Sequence, residues 1–335
     1  MRNLEVKLNL EIKVKPVAFE SLGVRSMCTF IETPDANILI DPGVSLGKRF
    51  GLLPHPKEYR VLKKMRRNLI ELANKADLLI ISHYHFDHYS PLNYTDYTWT
   101  WSKPEDNALI YLGKILLVKD YRDNINFSQR KRGWIFNKLV KDLASRIEIA
   151  DGKTFKFGET IIRFSMPVWH GEINTPLGWV LMTTIEYKRS KVMFTSDVQG
   201  PIDNSILNLI LMEKPDLLII GGPPTYLSNG RVNVNSISRA FENLVKLVKF
   251  IPNIILDHHL LRDVNWRNYV RNVFRRAEEI GHNIFTAAEF LGKRNRLLEG
   301  RRRELYEKYP PSEKFIEWTK MKKDERKKNP PPLRG

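Results

Sequence analysis

Apolar and polar residues alternate at the start of the chain. Leu4, Val6, Leu8, Leu10, Ile12 and Val14 fall on one side of an extended segment, and Glu5, Lys7, Asn9, Glu11 and Lys13 on the other. A period of two predicts a half-buried strand over residues 4–14. Residues 27–33 and 37–41 read as two more strands, and Pro34-Asp35-Ala36 between them makes a hairpin. Residues 57–75 change to helical spacing, with Tyr59, Leu62, Leu69 and Leu72 as the core face. A continuous apolar strand over 77–81 follows.

Residues 89–150 carry no such clean period. They hold Tyr94, Tyr97, Trp99 and Trp101, then a basic Gln129-Arg130-Lys131-Arg132 run before a predicted helix. Strands resume at 155–157, 161–166, 180–187 and 191–195. Beyond them helix and strand alternate: helix 203–213, strand 216–220, helix 236–250, strand 253–257, helix 266–280. The expected layering is sheets flanked by helices, an α/β (α+β) fold.

Four of the apolar strands end on a residue that a core has no use for. Asp41 follows Ile38-Leu39-Ile40, His83 follows the 77–81 strand, Asp197 follows Val192-Met193-Phe194, and His258 follows Ile254-Ile255-Leu256. Such residues suit a site assembled at one edge of a sheet. The chain has only 8 His in 335 residues, yet His83, His85 and His88 stand with Asp87 inside six consecutive positions. In an extended segment His83 and His85 face the same side, and a turn after Phe86 swings Asp87 and His88 toward a second metal ion. Neutral imidazoles with a carboxylate are a donor set that zinc accepts.

These motifs resemble the metallo-β-lactamase superfamily. Asp41 in Ile40-Asp41-Pro42-Gly43, the His83-x-His85-x-Asp87-His88 loop, His170 in Trp169-His170-Gly171, Asp197 in Thr195-Ser196-Asp197, and His258 or His259 occur in the family's order. The text around Ser21–Ser26 and 257–263 resembles an archaeal branch of metal-dependent hydrolases within it. The resemblance implies a four-layer αββα sandwich with the active site at one edge of the two sheets. It also implies two divalent metal ions, most simply zinc. His83, His85 and His170 would hold one. Asp87, His88 and a final His, with His258 preferred to His259, would hold the other. Asp197 would bridge them and Asp41 would orient ligands. Asp87 would also orient the attacking water, and the final histidine left over would either support a ligand from behind or face the substrate.

The implied chemistry is hydrolysis of an ester, lactone, thioester or phosphodiester. About 60 residues separate Asp197 from the last His, too few for the cap domain of the superfamily's nuclease branch. His85 stands where the flavo-diiron branch has a carboxylate, which favours zinc hydrolysis over iron redox chemistry. The formal net charge is +17, which points to acidic substrates or partners such as nucleic acid. Arg130, Arg132 and Tyr226 are the candidate substrate contacts.

Residues 1–292 are expected to form one domain, with 89–150 as an inserted, lid-like segment. Residues 293–335, with 15 Lys and Arg against 7 Asp and Glu, form a basic helix or tail that frays at 329–332. Its Arg301-Arg302-Arg303 run is the candidate for nucleic-acid contact, against the plainer reading of a solvated helix face. Cys28 stands alone, so an intrachain disulfide and a multi-cysteine zinc site are excluded. No apolar run approaches the ~20 residues of a bilayer span. A cytoplasmic protein that does not enter membranes is expected.

Overall fold

The computed structural model describes residues 8, 10–97, 99–101, 103–227 and 232–333. Two sheets lie at its centre. The first has six strands in the order β1 (Lys13–Phe19), β2 (Met27–Glu32), β3 (Asn37–Ile40), β4 (Leu78–Ile81), β5 (Ile115–Val118) and β6 (Arg146–Ile149). β1 to β3 are antiparallel neighbours, and β3 to β6 run parallel. The second sheet is built from β7 (Thr154–Phe157), β8 (Thr160–Phe164), β11 (Thr183–Tyr187), β12 (Ser190–Phe194), β13 (Leu217–Gly221), β14 (Asn253–Asp257) and β15 (Asn283–Phe285). Its spatial order is β15-β14-β13-β12-β11-β8-β7, and β12 to β15 are parallel. Between β8 and β11 in the chain, β9 (Val168–Trp169) and β10 (Trp179–Val180) form a small ribbon.

The side chains of β13 sort the layers. Leu217 and Ile219 join the apolar cluster shared with Ile31, Ile38, Ile40 and Leu79 of the first sheet. Leu218 and Ile220 point the other way, into a cluster with Ile206, Leu244, Leu247 and Val273. The last four lie on helices α4 (Asn204–Glu213), α5 (Val234–Val248) and, beyond the short α6 (Trp266–Tyr269), α7 (Arg271–Glu279). Burial on both faces is why the parallel strands read as unbroken apolar runs. On the outer face of the first sheet lie α1 (Pro56–Ala73), α2 (Pro104–Tyr111) and α3 (Phe127–Val140). The result is an αββα sandwich.

Of the alternating stretch 4–14, residues 4–7 and 9 fall outside the described residues, and the observed first strand begins at Lys13, later than the alternation predicts. The segment 89–150, expected as a lid, supplies β5 and β6 to the first sheet and α2 and α3 to its cover. A four-residue apolar strand buried between neighbours, as β5 is, leaves too little period to read, and β6 is a four-residue edge strand, equally short. Of the expected tail 293–335, residues 293–333 are described, and they are packed rather than splayed. After α8 (Ala287–Phe290) come α9 (Arg302–Lys308), α10 (Glu313–Lys320) and α11 (Lys323–Arg326). Phe315 and Trp318 are buried against Tyr59 of α1, with ring centroids 6.1 and 5.8 Å away. The end expected to fray is tied down: Trp318 Nε1 donates to the Asn329 carbonyl (2.8 Å) and Arg60 to that of Leu333 (2.7 Å). Arg302 is buried in an ion pair with Glu58 and so is removed from any nucleic-acid surface. Among the described residues, no helix is long and apolar enough to cross a membrane.

Candidate metal centre

The parallel strands of both sheets point their C-terminal ends at one crevice, the place where open α/β sheets bind ligands. β3 delivers Asp41, β4 delivers Ser82 and His83, β12 delivers Ser196 and Asp197, and β14 delivers His258. The β9–β10 ribbon adds His170. Asp41 (φ 49°), Ser196 (57°) and His258 (62°) all take left-handed backbone, which costs non-glycine residues of order 1 kcal/mol or more each. Each turns the chain sharply off its strand, so the side chain faces the crevice. Gly43 serves the same corner, because a Cβ there would run into the backbone of His88 and Tyr89.

Two clusters result. Donor atoms of His83, His85 and His170 lie within 4.8 Å of one another, and so do those of Asp87, His88 and His258. Asp197 sits between them: its Oδ2 is 2.9 Å from His170 Nε2, 3.2 Å from His258 Nε2 and 2.9 Å from His259 Nε2. His88 Nε2, His170 Nε2 and Asp197 Oδ1 are buried without a hydrogen-bond partner, the His170–Asp197 approach being short but poorly aligned. Buried polar atoms are rarely left orphaned. Three pointing into one space from an N/O donor set fit divalent metal ions.

Both of the last histidines reach the bridge. A continued strand would send His259 the opposite way. Instead β14 stops at Asp257, and the left-handed His258 starts a 3₁₀ turn that keeps both imidazoles on Asp197. They differ in depth. His258 is buried with Asp87 and His88, whereas His259 lines the open cleft and its Nδ1 lies 3.1 Å from the Tyr226 hydroxyl.

The far nitrogens of the imidazoles are held from behind, which fixes tautomer and ring plane. His88 Nδ1 donates to Asp41 Oδ2 (2.7 Å), and the same carboxylate accepts the Ser82 N–H (2.8 Å) and O–H (2.6 Å). His258 Nδ1 meets Glu20 Oε2 at 2.8 Å, and Glu20 Oε1 accepts from Arg262 Nε at 2.7 Å. His83 Nδ1 lies 3.0 Å from Ser82 Oγ, and His170 Nδ1 lies 3.3 Å from Gln199 Nε2. Burial, reinforced by the neighbouring imidazoles, holds the pKa values of His83 and His85 well below the usual range, so both are neutral donors. Burial opposes charge on His258 as well, but Glu20 and Asp197 outweigh it and raise its pKa.

The two donor clusters open into a cleft of about 420 Å³. Four cationic side chains line it: Arg25, Lys48, Arg132 and Arg262. Arg132 stacks its guanidinium over the Phe86 ring (4.5 Å to the centroid) and forms no ion pair with a carboxylate among the described residues. Its helix neighbour Arg130 is exposed and is not part of the cleft wall. At 3.6 residues per turn, side chains two positions apart point about 200° from each other, so Arg130 is on the face away from the cleft. Tyr226 supports His259 from behind and lines, with Arg49 and Phe50, an adjoining cavity that shares Arg25 and Lys48 with the cleft; it is not among the residues of the cleft wall itself.

Sequence reading missed Glu20, Arg25, Ser82, Ser196, Gln199, Arg262 and Glu299. Ser82 and Ser196 carried a signal, since each directly precedes a motif residue at a strand end. Arg25 is gripped by Glu299 through two contacts of 2.6 and 2.7 Å. Burial alone would push the Glu299 carboxyl up, but Arg25, with Arg262 and Arg302 farther off, holds it down at about 2 against an ordinary 4.5. A depressed folded-state pKa contributes stability above the unfolded value, and that stability is lost as pH falls toward 2. Replacing Glu299 with Gln should therefore cost roughly 3 kcal/mol at neutral pH, with the gap to the native chain closing on acidification. Urea unfolding at stepped pH measures this; a gap independent of pH would contradict it.

The chain belongs to the metallo-beta-lactamase superfamily, whose family model matches residues 22–271. Within it, the chain belongs with archaeal UPF0282 proteins. It is 40% identical to one from Korarchaeum cryptofilum over 92% of this chain and 99% of that one. It is 45% identical to UPF0282 protein MJ1629 of Methanocaldococcus jannaschii over 88% and 96%. Among solved structures, the metallo-beta-lactamase fold protein YhfI from Bacillus subtilis aligns with a TM-score of 0.48 at 15% identity, over 82% of this chain and 95% of that one.

Proposed function

We propose that this protein is a dinuclear metal-dependent hydrolase, zinc being the metal its donors suit best, and that it cleaves anionic esters, phosphodiesters foremost. The observation that carries the reading is Asp197, one carboxylate placed between two three-donor clusters. His83, His85 and His170 would hold one ion, Asp87, His88 and His258 the other, and Asp197 both. Ions bound there would acidify a water molecule and polarise the substrate's oxygen.

The chain's own groups do the rest. Asp41 and Glu20 keep His88 and His258 presenting Nε2 to the crevice. Asp87, which also lies 3.5 Å from Arg262, borders the cleft and can orient the attacking water. His259 faces the cleft from the bridge and can receive or supply a proton at the leaving oxygen. Arg132 and Lys48 offer charge to an anionic group, while Phe86, Trp99 and Leu177 supply apolar wall. This lining favours a phosphodiester over a neutral ester or lactone, and the charge of +17 extends the reading to nucleic-acid strands.

The test is turnover of bis-(p-nitrophenyl) phosphate beside p-nitrophenyl acetate and a simple lactone, with and without chelator. Phosphodiester hydrolysis that chelator abolishes and zinc restores is expected. Chelator-insensitive turnover would end the metal mechanism, and metal binding without turnover of any of the three would favour a binding module. Arg132→Ala should raise KM for the phosphodiester about tenfold with little change in kcat, the size of a lost charge-assisted contact of ~1.5 kcal/mol. An equal change with the neutral ester would show that Arg132 supports the fold and not the anion.

A further inference from the structure

A second cavity, of about 400 Å³, is lined by β1, α1 and the segment after α8, and shares no lining residue with the metal cleft. Its floor is aliphatic, made by Val17, Leu22, Met65, Leu72 and Leu291. Its rim is cationic. Lys64 comes from α1, Lys75 from the turn that follows its C-terminus, Lys15 from β1, and Lys293, Arg294 and Arg296 from the segment after α8. All six are exposed, and none pairs with a carboxylate among the described residues. Glu71 is the one acidic residue in the lining.

Six like charges around one hollow repel one another in the empty protein, and an apolar floor beneath them stays wetted. Both costs fall if a multiply charged anion with a non-polar body settles there. A metal ion is excluded by the sign of the field. An acidic peptide would bring carboxylates but offers the floor no compact body of this volume. We propose that this cavity is a nucleotide-phosphate site, taking either a free nucleotide or one nucleotide of a strand, with its phosphates on Arg294, Arg296 and Lys64 and its base or sugar on the aliphatic floor. It is distinct from the reaction centre and stands whether or not the metal clusters hydrolyse anything. Occupancy would tie the segment after α8 to α1.

The experiment measures binding to the purified, metal-replete chain by calorimetry. One arm uses a non-hydrolysable methylene-bridged ATP analogue, the other a short single-stranded RNA. The exposed double variant K64E/R294E is compared with the native chain and with R132A, which lies in the other cleft. Binding that weakens with salt, falls at least tenfold in K64E/R294E and persists in R132A is the expected result. A preference for the RNA identifies a strand as the source, and equal affinity identifies the free nucleotide; both support the site. No binding by the native chain, or binding unchanged in K64E/R294E, overturns it. Loss in R132A alone assigns the anion to the metal cleft and also overturns it. Circular dichroism of K64E/R294E separates lost binding from lost fold.

Discussion

Asp197→Ala should lower the metal content of the purified protein from about two ions per chain toward one or none. It should also reduce phosphodiesterase kcat/KM by about a thousandfold, ~4 kcal/mol of transition-state stabilisation. The size follows from position. The Asp197 carboxylate is the shared neighbour of His170, His258 and His259, so its removal opens both clusters at once and leaves three imidazoles facing one another. Asp197→Asn separates charge from shape, since it keeps an oxygen in place but no negative charge; it should retain more metal than the alanine variant and still be slow. Metal analysis by mass spectrometry and steady-state kinetics read the two effects independently. Full metal occupancy with native activity in Asp197→Ala would remove Asp197 from the bridge. Lost activity with both ions retained would move its role from holding metal to the chemistry.

The candidate donors that the structure gathers were legible in the sequence because they depend on local order. His83 to His88 lie in one loop, and Asp197 and His258 each follow an apolar strand, where a polar residue stands out; His170, after the two-residue β9, was marked only by its place in the motif order. The partners behind the ligands were not legible. Glu20 reaches His258 across 238 positions and Arg262 across 242. Nothing in the local text around Glu20 distinguishes it from a solvated carboxylate. Only the stacking of two sheets brings these segments together. The His258/His259 ambiguity had a similar origin: periodicity assigns opposite faces along a strand, and a single left-handed residue cancels it. In 89–150 the tyrosines and tryptophans drew the reading toward a lid, whereas the short apolar run at 115–118 was already a central strand. The wall residues Trp99 and Arg132 do come from that segment, so its aromatic and basic content reaches the cleft even though its backbone belongs to the sheet.

Charge was the least readable property of the C-terminal region. A run of three arginines reads as a solvated or anion-binding face, and Arg301 and Arg303 are indeed exposed. The middle one is an internal strut. Arg302 Nε and one terminal nitrogen grip both oxygens of Glu58 at 2.8 and 2.7 Å, and the other donates to the Gly47 carbonyl at 2.6 Å. Glu58 also accepts the His55 N–H at 2.7 Å, closing the first turn of α1. Both side chains are fully buried. Arg302→Ala should therefore cost about 3–5 kcal/mol, because it strands the Glu58 charge with no partner, and Glu58→Ala should cost a similar amount for the mirror reason. Replacing both with apolar residues, as in E58L/R302M, should cost clearly less than the two single losses added together, since no charge is then left unpaired. Urea unfolding of the four proteins closes the cycle, and additive losses would contradict the paired-charge account. The consequence extends to the cleft. Gly47 and its neighbours Ser45, Leu46 and Lys48 form one wall of it, and Arg302 holds that wall by its backbone. Arg302→Ala should accordingly raise KM for the phosphodiester while leaving metal content at the native level. A fall in metal content at unchanged KM would instead place the strut's influence on the ligand loops.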